Sequence, residues 1–253
     1  MSSLAFLTPD AVPDTALARS PMEGRARAAG ARFAPRAGWN VAVSYAVGAE
    51  RERERLTQTV AFADRSQLTK LELQAEPQTL AALIAAASGE GVVLGPGMAV
   101  RAAGAWWCPV TPSRALVLAD SDADRGESIR DAVTAAATAA AAATAETAAS
   151  SLVSVVDLTS GLAALTLAGP GCGELLARFC AIDVRLPVTP VCGFRPGSVA
   201  RTPGYLLRER EDRLLVLVGW ALGEYLWEVV ADAAEHLGGG PVGADALQEN
   251  ADA

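Results

Sequence analysis

The stretch Ala61-Phe62-Ala63-Asp64-Arg65-Ser66-Gln67-Leu68-Thr69-Lys70-Leu71-Glu72-Leu73 is echoed by Val155-Val156-Asp157-Leu158-Thr159-Ser160-Gly161-Leu162-Ala163-Ala164-Leu165-Thr166-Leu167. Each copy runs into an apolar helical stretch, Leu80 to Ala87 and Glu174 to Cys180. A paired-strand pattern follows, WWCPVTPSRALVLA from Trp106 and YLLREREDRLLVLV from Tyr205. The offset is 93 between Asp64 and Asp157 and 99 between Arg114 and Arg213, so one short insertion reconciles the copies. Two copies indicate a duplicated unit, not a solenoid. Read as β-α-β-β-α units, they predict an α+β fold of two ferredoxin-like (β-α-β-β-α-β) halves with an antiparallel-rich sheet.

Working outward, half one spans about 58–152 and half two about 153–240, inside one domain over 20–247. Residues 1–19 read as an arm without a core of its own and 248–253 as a tail. Ser20-Pro21 looks like a helix start, with Ser as N-cap and Glu23 completing a capping box. Gly38 to Tyr45 alternates and suits an extended segment. Glu50 to Arg55 reads as a solvated helix start in which Glu50 reaches Arg53 and Glu52 reaches Arg55. Ser128 to about Ala149 is Ala-rich and helical. Gly238-Gly239-Gly240-Pro241 stops the helix built on Leu222, Leu226, Val229 and Val230.

With 51% apolar and 20% charged residues, the 253-residue chain can bury a full core. A net charge of −8 argues against nucleic acid as the main partner, since phosphate neutralisation needs dominant local Lys and Arg. Cys108, Cys172, Cys180 and Cys192 form no C-x-x-C and follow no signal-peptide pattern, so reduced thiols and a cytoplasmic setting are expected. The Ala-Thr run from Ala132 to Ala149 has too little hydrophobicity to span a bilayer.

Several constellations are weighed and set aside. The turn Gly169-Pro170-Gly171-Cys172-Gly173 lacks the third glycine of a dinucleotide fingerprint, because Glu174 stands there, and Pro170 removes an amide donor. Gly95-Pro96-Gly97 has neither Lys nor Ser/Thr at P-loop spacing. His236, the only histidine, lies near a helix end, which leaves no His-based metal site and no metal is expected. Cys172 and Cys180 read as core packing. The turn Arg208-Glu209-Arg210-Glu211-Asp212-Arg213 is either a solvated hairpin or an anion-recognition patch. Trp39, Tyr45, Trp106, Trp107, Tyr205 and Trp227 are either core or walls for a planar ligand.

The segments GWNVAVSY (38–45), ERERLTQTVAFADRSQLTKLELQ (52–74) and LGGGPVGADAL (237–247) resemble the folate-binding portion of the glycine cleavage system T-protein. That family carries G-W-x-x-P-x-x-Y, F-D-x-S-H-x-G-K and late G-x-x-x-x-G-x-x-A elements. VDLTSGLAALTLAGPGCGELLARFCAIDV (156–184), FRPGSVARTPGYLLRERED (194–212) and GWALGEYLWEVVADAAEHLGG (219–239) resemble the γ subunit of heterotetrameric sarcosine oxidase more closely. The resemblance implies two ferredoxin-like halves and an N-terminal segment around a folate-sized cavity. In T-proteins that cavity binds tetrahydrofolate and a carboxylate supports one-carbon transfer. The γ subunits keep the fold as accessory parts of an amine-oxidising complex.

Asp64, Ser66 and Lys70 match the family's element, while Gln67 replaces its histidine. The G-G-x-x-x-D-D element that supplies the T-protein carboxylate is replaced by VVLGPGMAVR, without an acid between Gly91 and Arg101. The G-Y-T-G-E-D-G-x-E element becomes Gly204-Tyr205-Leu206-Leu207-Arg208-Glu209, and the C-terminal barrel has no counterpart. The resemblance therefore implies Asp64 and Lys70 as catalytic candidates, and Trp39, Tyr45, Ser66, Asp157, Tyr205, Arg208 and Glu209 as ligand-binding candidates. The expected ligand is tetrahydrofolate, another folate-like molecule or an amine, and the expected partners are subunits of an oxidase complex, with no nucleic acid or membrane. Two functions follow: an accessory or ligand-binding protein of amine or one-carbon metabolism without standard aminomethyltransferase residues, or a stand-alone folate-dependent methyl or methylene transferase or repurposed enzyme using the same cavity.

Overall fold

The structure, a computed structural model, describes residues 18–120, 123–145 and 152–249. Most of the expected arm and of the expected tail lies outside the described residues. The N-terminal part contributes β1 (Ala18–Arg19), α1 (Glu23–Ala28), β2 (Ala31–Arg36), β3 (Trp39–Tyr45) and α2 (Ala49–Gln58). The first copy contributes β4 (Ala61–Asp64), β5 (Thr69–Gln74), α3 (Pro77–Ser88), β6 (Val100–Ala102), β7 (Ala105–Thr111), β8 (Arg114–Ala119) and α4 (Ala123–Ala145). The second contributes β9 (Ser154–Asp157), β10 (Leu162–Ala168), α5 (Cys172–Ala177), β11 (Phe194–Val199), β12 (Thr202–Arg210), β13 (Arg213–Gly219) and α6 (Gly223–Glu235). The chain then forms β14 (Gly240–Pro241) and α7 (Ala244–Glu249), which runs past the expected domain end at 247.

The fold is α+β, with sheets ordered β1-β3-β2, β11-β12-β13-β10-β4-β14 and β6-β7-β8-β5-β9. Each echoing stretch is two strands broken by a turn, and the leading strands change places. β4, from the first copy, pairs antiparallel with β10 of the second; β9, from the second copy, pairs antiparallel with β5 of the first.

Alternation along the strands then builds separate cores, because successive side chains face opposite sides of a sheet. Ala115, Val117 and Ala119 of β8 face Leu83 and Ile84 of α3 and Ile129 and Val133 of α4. Leu116 and Leu118, between them in sequence, pack against Leu207, Leu215 and Leu217 of the six-stranded sheet. That sheet's outer face, with Val216 and Val218, is covered by α1, α5 and α6. The two larger sheets thus lie face to face with helices outside.

Local chemistry differs from the sequence expectation at two places. Ser20 Oγ accepts the Met22 amide (3.0 Å), but the Glu23 carboxylate pairs with Arg27 (2.7 Å) instead of closing a capping box. Glu52 does not pair with Arg55. It is buried, 1% exposed, and accepts the amides of Tyr45 (2.6 Å) and Gly243 (2.7 Å). Arg55 instead donates to the Pro241 carbonyl (2.7 Å). These bonds draw the glycine-rich tail onto β3 and β4, and Gly243 has no room for a side chain because a Cβ there would stand on the Val43 carbonyl.

Candidate functional site

Both crossover turns are built by the same short motif. Asp64 Oδ1 accepts the Ser66 amide (2.9 Å) and Asp157 Oδ1 accepts the Thr159 amide (2.8 Å), two Asx turns that reverse the chain between strands. The Arg65 amide donates to the Ala164 carbonyl and the Leu158 amide to the Lys70 carbonyl, so the two turns are related by a local pseudo-twofold.

The symmetry breaks at Lys70 of β5, whose counterpart in β10 is Ala164. The Lys70 ammonium is fully buried and donates to the carbonyls of Ser66 (2.7 Å), Leu68 (2.8 Å) and Thr159 (3.0 Å). Burial pulls its pKa down to about 7, against the opposing charge of Asp64. Burial likewise raises the Asp64 carboxyl above its ordinary value, although hydrogen bonds from Ser20 and Ser66 oppose the shift.

The second break is Arg65, where the echo has Leu158. Arg65 points into a cavity of about 570 Å³ enclosed by β3, the first crossover, β6 and β7, the β12–β13 hairpin and α7. The Arg65 guanidinium binds Asp120 and, at 3.3 Å, Glu209. Glu209 is shared with Arg213 (3.1 Å), and Asp120 with Arg101 (3.3 Å). The side chains of Arg65, Glu209 and Arg213 are only 10–12% exposed. Burial and the like charges of Arg65 and Arg210 lower the Arg213 pKa, while Arg65 and Arg101 together outweigh burial and hold Asp120 below its ordinary value. Arg101 also lies over the Trp106 ring, 5.3 Å from its centroid.

Of the nine residues expected at a site, Asp64 and Glu209 line this cavity. Ser66 and Lys70 lie behind it in the crossover, both fully buried. Tyr45 is buried beside Asp64 and Glu52, and burial followed by these charges raises its hydroxyl pKa. Trp39 packs against Trp220 at 5.9 Å. Tyr205 stacks on Phe194 at 5.7 Å and accepts a hydrogen bond from Arg114 (3.1 Å). Asp157 belongs to the second crossover, paired with Arg130 (2.8 Å) at a shallower groove beside α4.

Arg208 is not at a solvated turn. It is 3% exposed and donates to the carbonyls of Thr189 (2.8 Å), Glu211 (2.5 Å) and Val184. Among the described residues, no cluster of three or more His, Cys, Asp or Glu is placed to hold a metal, and no helix is long and apolar enough to cross a membrane.

Sequence reasoning placed Arg210 and Arg213 in a turn offered as an anion-recognition patch but missed Arg36, Arg65, Arg101 and Arg125. The one signal was Arg65 interrupting the echo, since charge at a position that is Leu158 in the other copy marks a place where the duplicated halves do different things.

Searches of family models and of curated proteins return no match. Solved structures do match. Glycine cleavage system aminomethyltransferase T from Bartonella henselae superposes with a TM-score of 0.70 over 91% of this chain, at 17% identity. The fold is that of the T-protein. The chain spans 60% of that enzyme's length. A chain of the heterotetrameric sarcosine oxidase from Corynebacterium sp. U-96, solved with pyrrole 2-carboxylate, superposes with a TM-score of 0.59 over 76% of this chain and 92% of its own, at 22% identity. The T-protein-like architecture inferred from the motifs therefore holds at sequence identities too low for a residue-by-residue transfer of roles.

Proposed function

We propose that this T-protein-like chain is a ligand-binding accessory protein of amine or one-carbon metabolism, using its central cavity to bind and not to catalyse. The observation that supports this reading is how the cavity's acids and bases are committed. Asp120 and Glu209 are held by arginines, and every proton of the Lys70 ammonium is donated to a carbonyl. His236 is exposed at the end of α6, with Nδ1 2.8 Å from the Asp232 carbonyl. Proton transfer near neutral pH recruits such groups when they are free to change partners. Asp64 is tied to its own crossover through the Ser66 amide and, among the described residues, differs from Asp120 and Glu209 in having no arginine partner.

A folate fits this wall in part. Arginines suit its carboxylates, and Asp64 is the one acid not engaged by arginine that could face ring N–H groups. The second reading, a tetrahydrofolate-dependent methyl or methylene transferase, rests on that same carboxyl, half-buried and raised in pKa at the cavity wall.

Calorimetric titration with 5-formyltetrahydrofolate, with sedimentation of the same sample, tests the proposal. Saturable binding without methyl or methylene transfer from reduced folates supports the binding role. Transfer abolished by Asp64→Asn establishes the enzyme instead. Absence of heat removes folate as the ligand.

A further inference from the structure

We infer that the crevice between α3 and the β7–β8 hairpin is a second binding site, for a compact uncharged apolar molecule carrying one hydrogen-bond acceptor. It shares no lining residue with the central cavity and lies at the other end of β8, so it stands apart from the reading of that cavity.

The duplication shows why the crevice is open. Pro109 is the counterpart of Arg208: each stands at a bulge in its strand, and their partners Ala115 and Leu214 are 99 residues apart, as are Arg114 and Arg213. In the second copy the Arg208 amide donates to the Gly193 carbonyl and its carbonyl accepts the Cys192 amide, both at 2.9 Å, so the chain before β11 closes onto β12. The Arg208 side chain is buried there on its three carbonyls. In the first copy Pro109 has no amide to offer, and β6 pairs with β7 only as far as Trp107. The chain before β6 is drawn to the other sheet instead. The Gly97 carbonyl accepts the Phe194 amide (2.9 Å) and Arg195 (2.6 Å), and the Ala99 amide donates to the Cys192 carbonyl (2.8 Å). A crevice of about 420 Å³, in the size range of small-molecule sites, is left between residues 92–97, α3 and the hairpin.

Its floor is core: Leu80, Ile84, Val92 and Ala115 are at most 7% exposed. Pro77, Pro96, Pro109 and Pro112 stand around it, fixing the backbone of its walls, so little order is lost when a ligand enters. Arg114 is the one charged lining residue, and Glu72 neutralises it, accepting from Nε (3.0 Å) and Nη2 (2.8 Å). Nη2 also donates to the Tyr205 hydroxyl (3.1 Å), and among the described residues Nη1 has no acceptor. An ionised ligand would leave water for apolar walls and a guanidinium that is already paired, which is unfavourable. A neutral carbonyl oxygen would receive Nη1 without adding charge. An added β-strand is disfavoured as occupant, because Pro109 leaves the open edge of β7 without an N–H at that position.

The test titrates the full chain with 2-acetylnaphthalene and with 2-naphthoate, an anion of similar shape, followed by calorimetry and amide chemical shifts. Ala81→Phe, at an exposed position of α3 that lines the crevice, is compared with Ala82→Phe, exposed on the same helix outside it. Saturable binding of the ketone is expected, with shift changes centred on residues 77–115, weakened at least about tenfold by Ala81→Phe and unchanged by Ala82→Phe. 2-Naphthoate should bind at least about tenfold more weakly than the ketone. No saturation by the ketone, shifts centred on the central cavity, or equal weakening in the two variants overturns the site. Naphthoate binding as tight as that of the ketone overturns the selection for an uncharged ligand. Self-association in sedimentation that Ala81→Phe abolishes, without saturation by the ketone, makes the crevice a contact between chains and overturns the inference as well.

Discussion

The Ser66 hydroxyl oxygen accepts the Ala164 amide at 3.2 Å from across the duplication, and Thr159 returns the bond by accepting the Lys70 amide at the same distance. Each hydroxyl belongs to one crossover turn and satisfies the strand that receives the exchanged partner. The exchange of β4 and β9 is therefore fixed by side-chain chemistry as well as by strand pairing. Ser66→Ala and Thr159→Val each leave a buried amide unpaired and should destabilise the chain by about 1–3 kcal/mol. Urea unfolding of the single and double variants checks this. Since both turns also meet at the Lys70 ammonium, the double variant should differ from the sum of the singles by about 0.5 kcal/mol or more; strict additivity would mean that the turns act independently.

Lys70 couples the same two turns to pH. Its folded pKa, about 7, lies below the ordinary 10.5. Between these values the unfolded chain binds more protons than the folded one, so stability rises with pH across the window. Below about 7 both states hold the proton and the penalty is complete and constant. Lys70→Met leaves the Ser66, Leu68 and Thr159 carbonyls without their donor, a loss of about 1–3 kcal/mol. It also removes a slope of at most about 1.4 kcal/mol per pH unit. The destabilisation measured in urea should therefore grow from neutral pH toward about pH 10. A constant difference would show that the carbonyl cage keeps the ammonium charged throughout.

The repeated D-x-S and D-x-T signatures, Asp64-Arg65-Ser66 and Asp157-Leu158-Thr159, made the duplication legible because an Asx turn needs those residue types at that spacing. The exchange of strands was not legible. Alternation tells which face a residue takes but not which sheet a four-residue strand joins, and β4 finds its partner β10 about a hundred residues away. Glu52 and Arg208 misled for a related reason. Their charges read as surface, yet Glu52 receives two amides and Arg208 donates to three carbonyls, partners supplied by distant backbone that local sequence does not display. Arg210 and Arg213 stood in a turn that the sequence offered as an anion-recognition patch, but the other four arginines of the cavity were hidden by dispersal over separate elements.

Asp64→Asn separates the turn's role from the carboxyl's charge. Asn retains the oxygen that accepts the Ser66 amide, so the fold should change by less than about 1 kcal/mol at low pH. In the wild-type chain the raised Asp64 pKa means that the folded state binds the proton more tightly than the unfolded one. Its contribution is complete below the ordinary carboxyl value and is lost as pH rises through the folded pKa. Asp64→Asn should thus gain stability relative to wild type as the pH rises above the ordinary carboxyl value of about 4. Denaturant midpoints across that range measure it, and a parallel pair of curves would place the Asp64 carboxyl at its ordinary pKa.

Gly243 links the tail to the cavity. A Cβ at this position would stand on the Val43 carbonyl, and the Gly243 amide is one of the two that Glu52 accepts. Backbone cannot rotate away as a side-chain tip can, so Gly243→Ala must push the tail off β3, weakening the Glu52 bond at the same step. A destabilisation of about 2–3 kcal/mol is expected, at the upper end for overpacking. α7 follows immediately and supplies Ala244, Leu247 and Gln248 to the cavity wall, with Asp245 holding Arg36. Displacing it frees Arg36 from its acid and opens one side of the cavity. Amide exchange in 240–248 should therefore accelerate in Gly243→Ala well beyond the change in β5 or β8, which belong to the other large sheet. Uniform acceleration across all three segments would instead mean that the tail is part of the global folding unit.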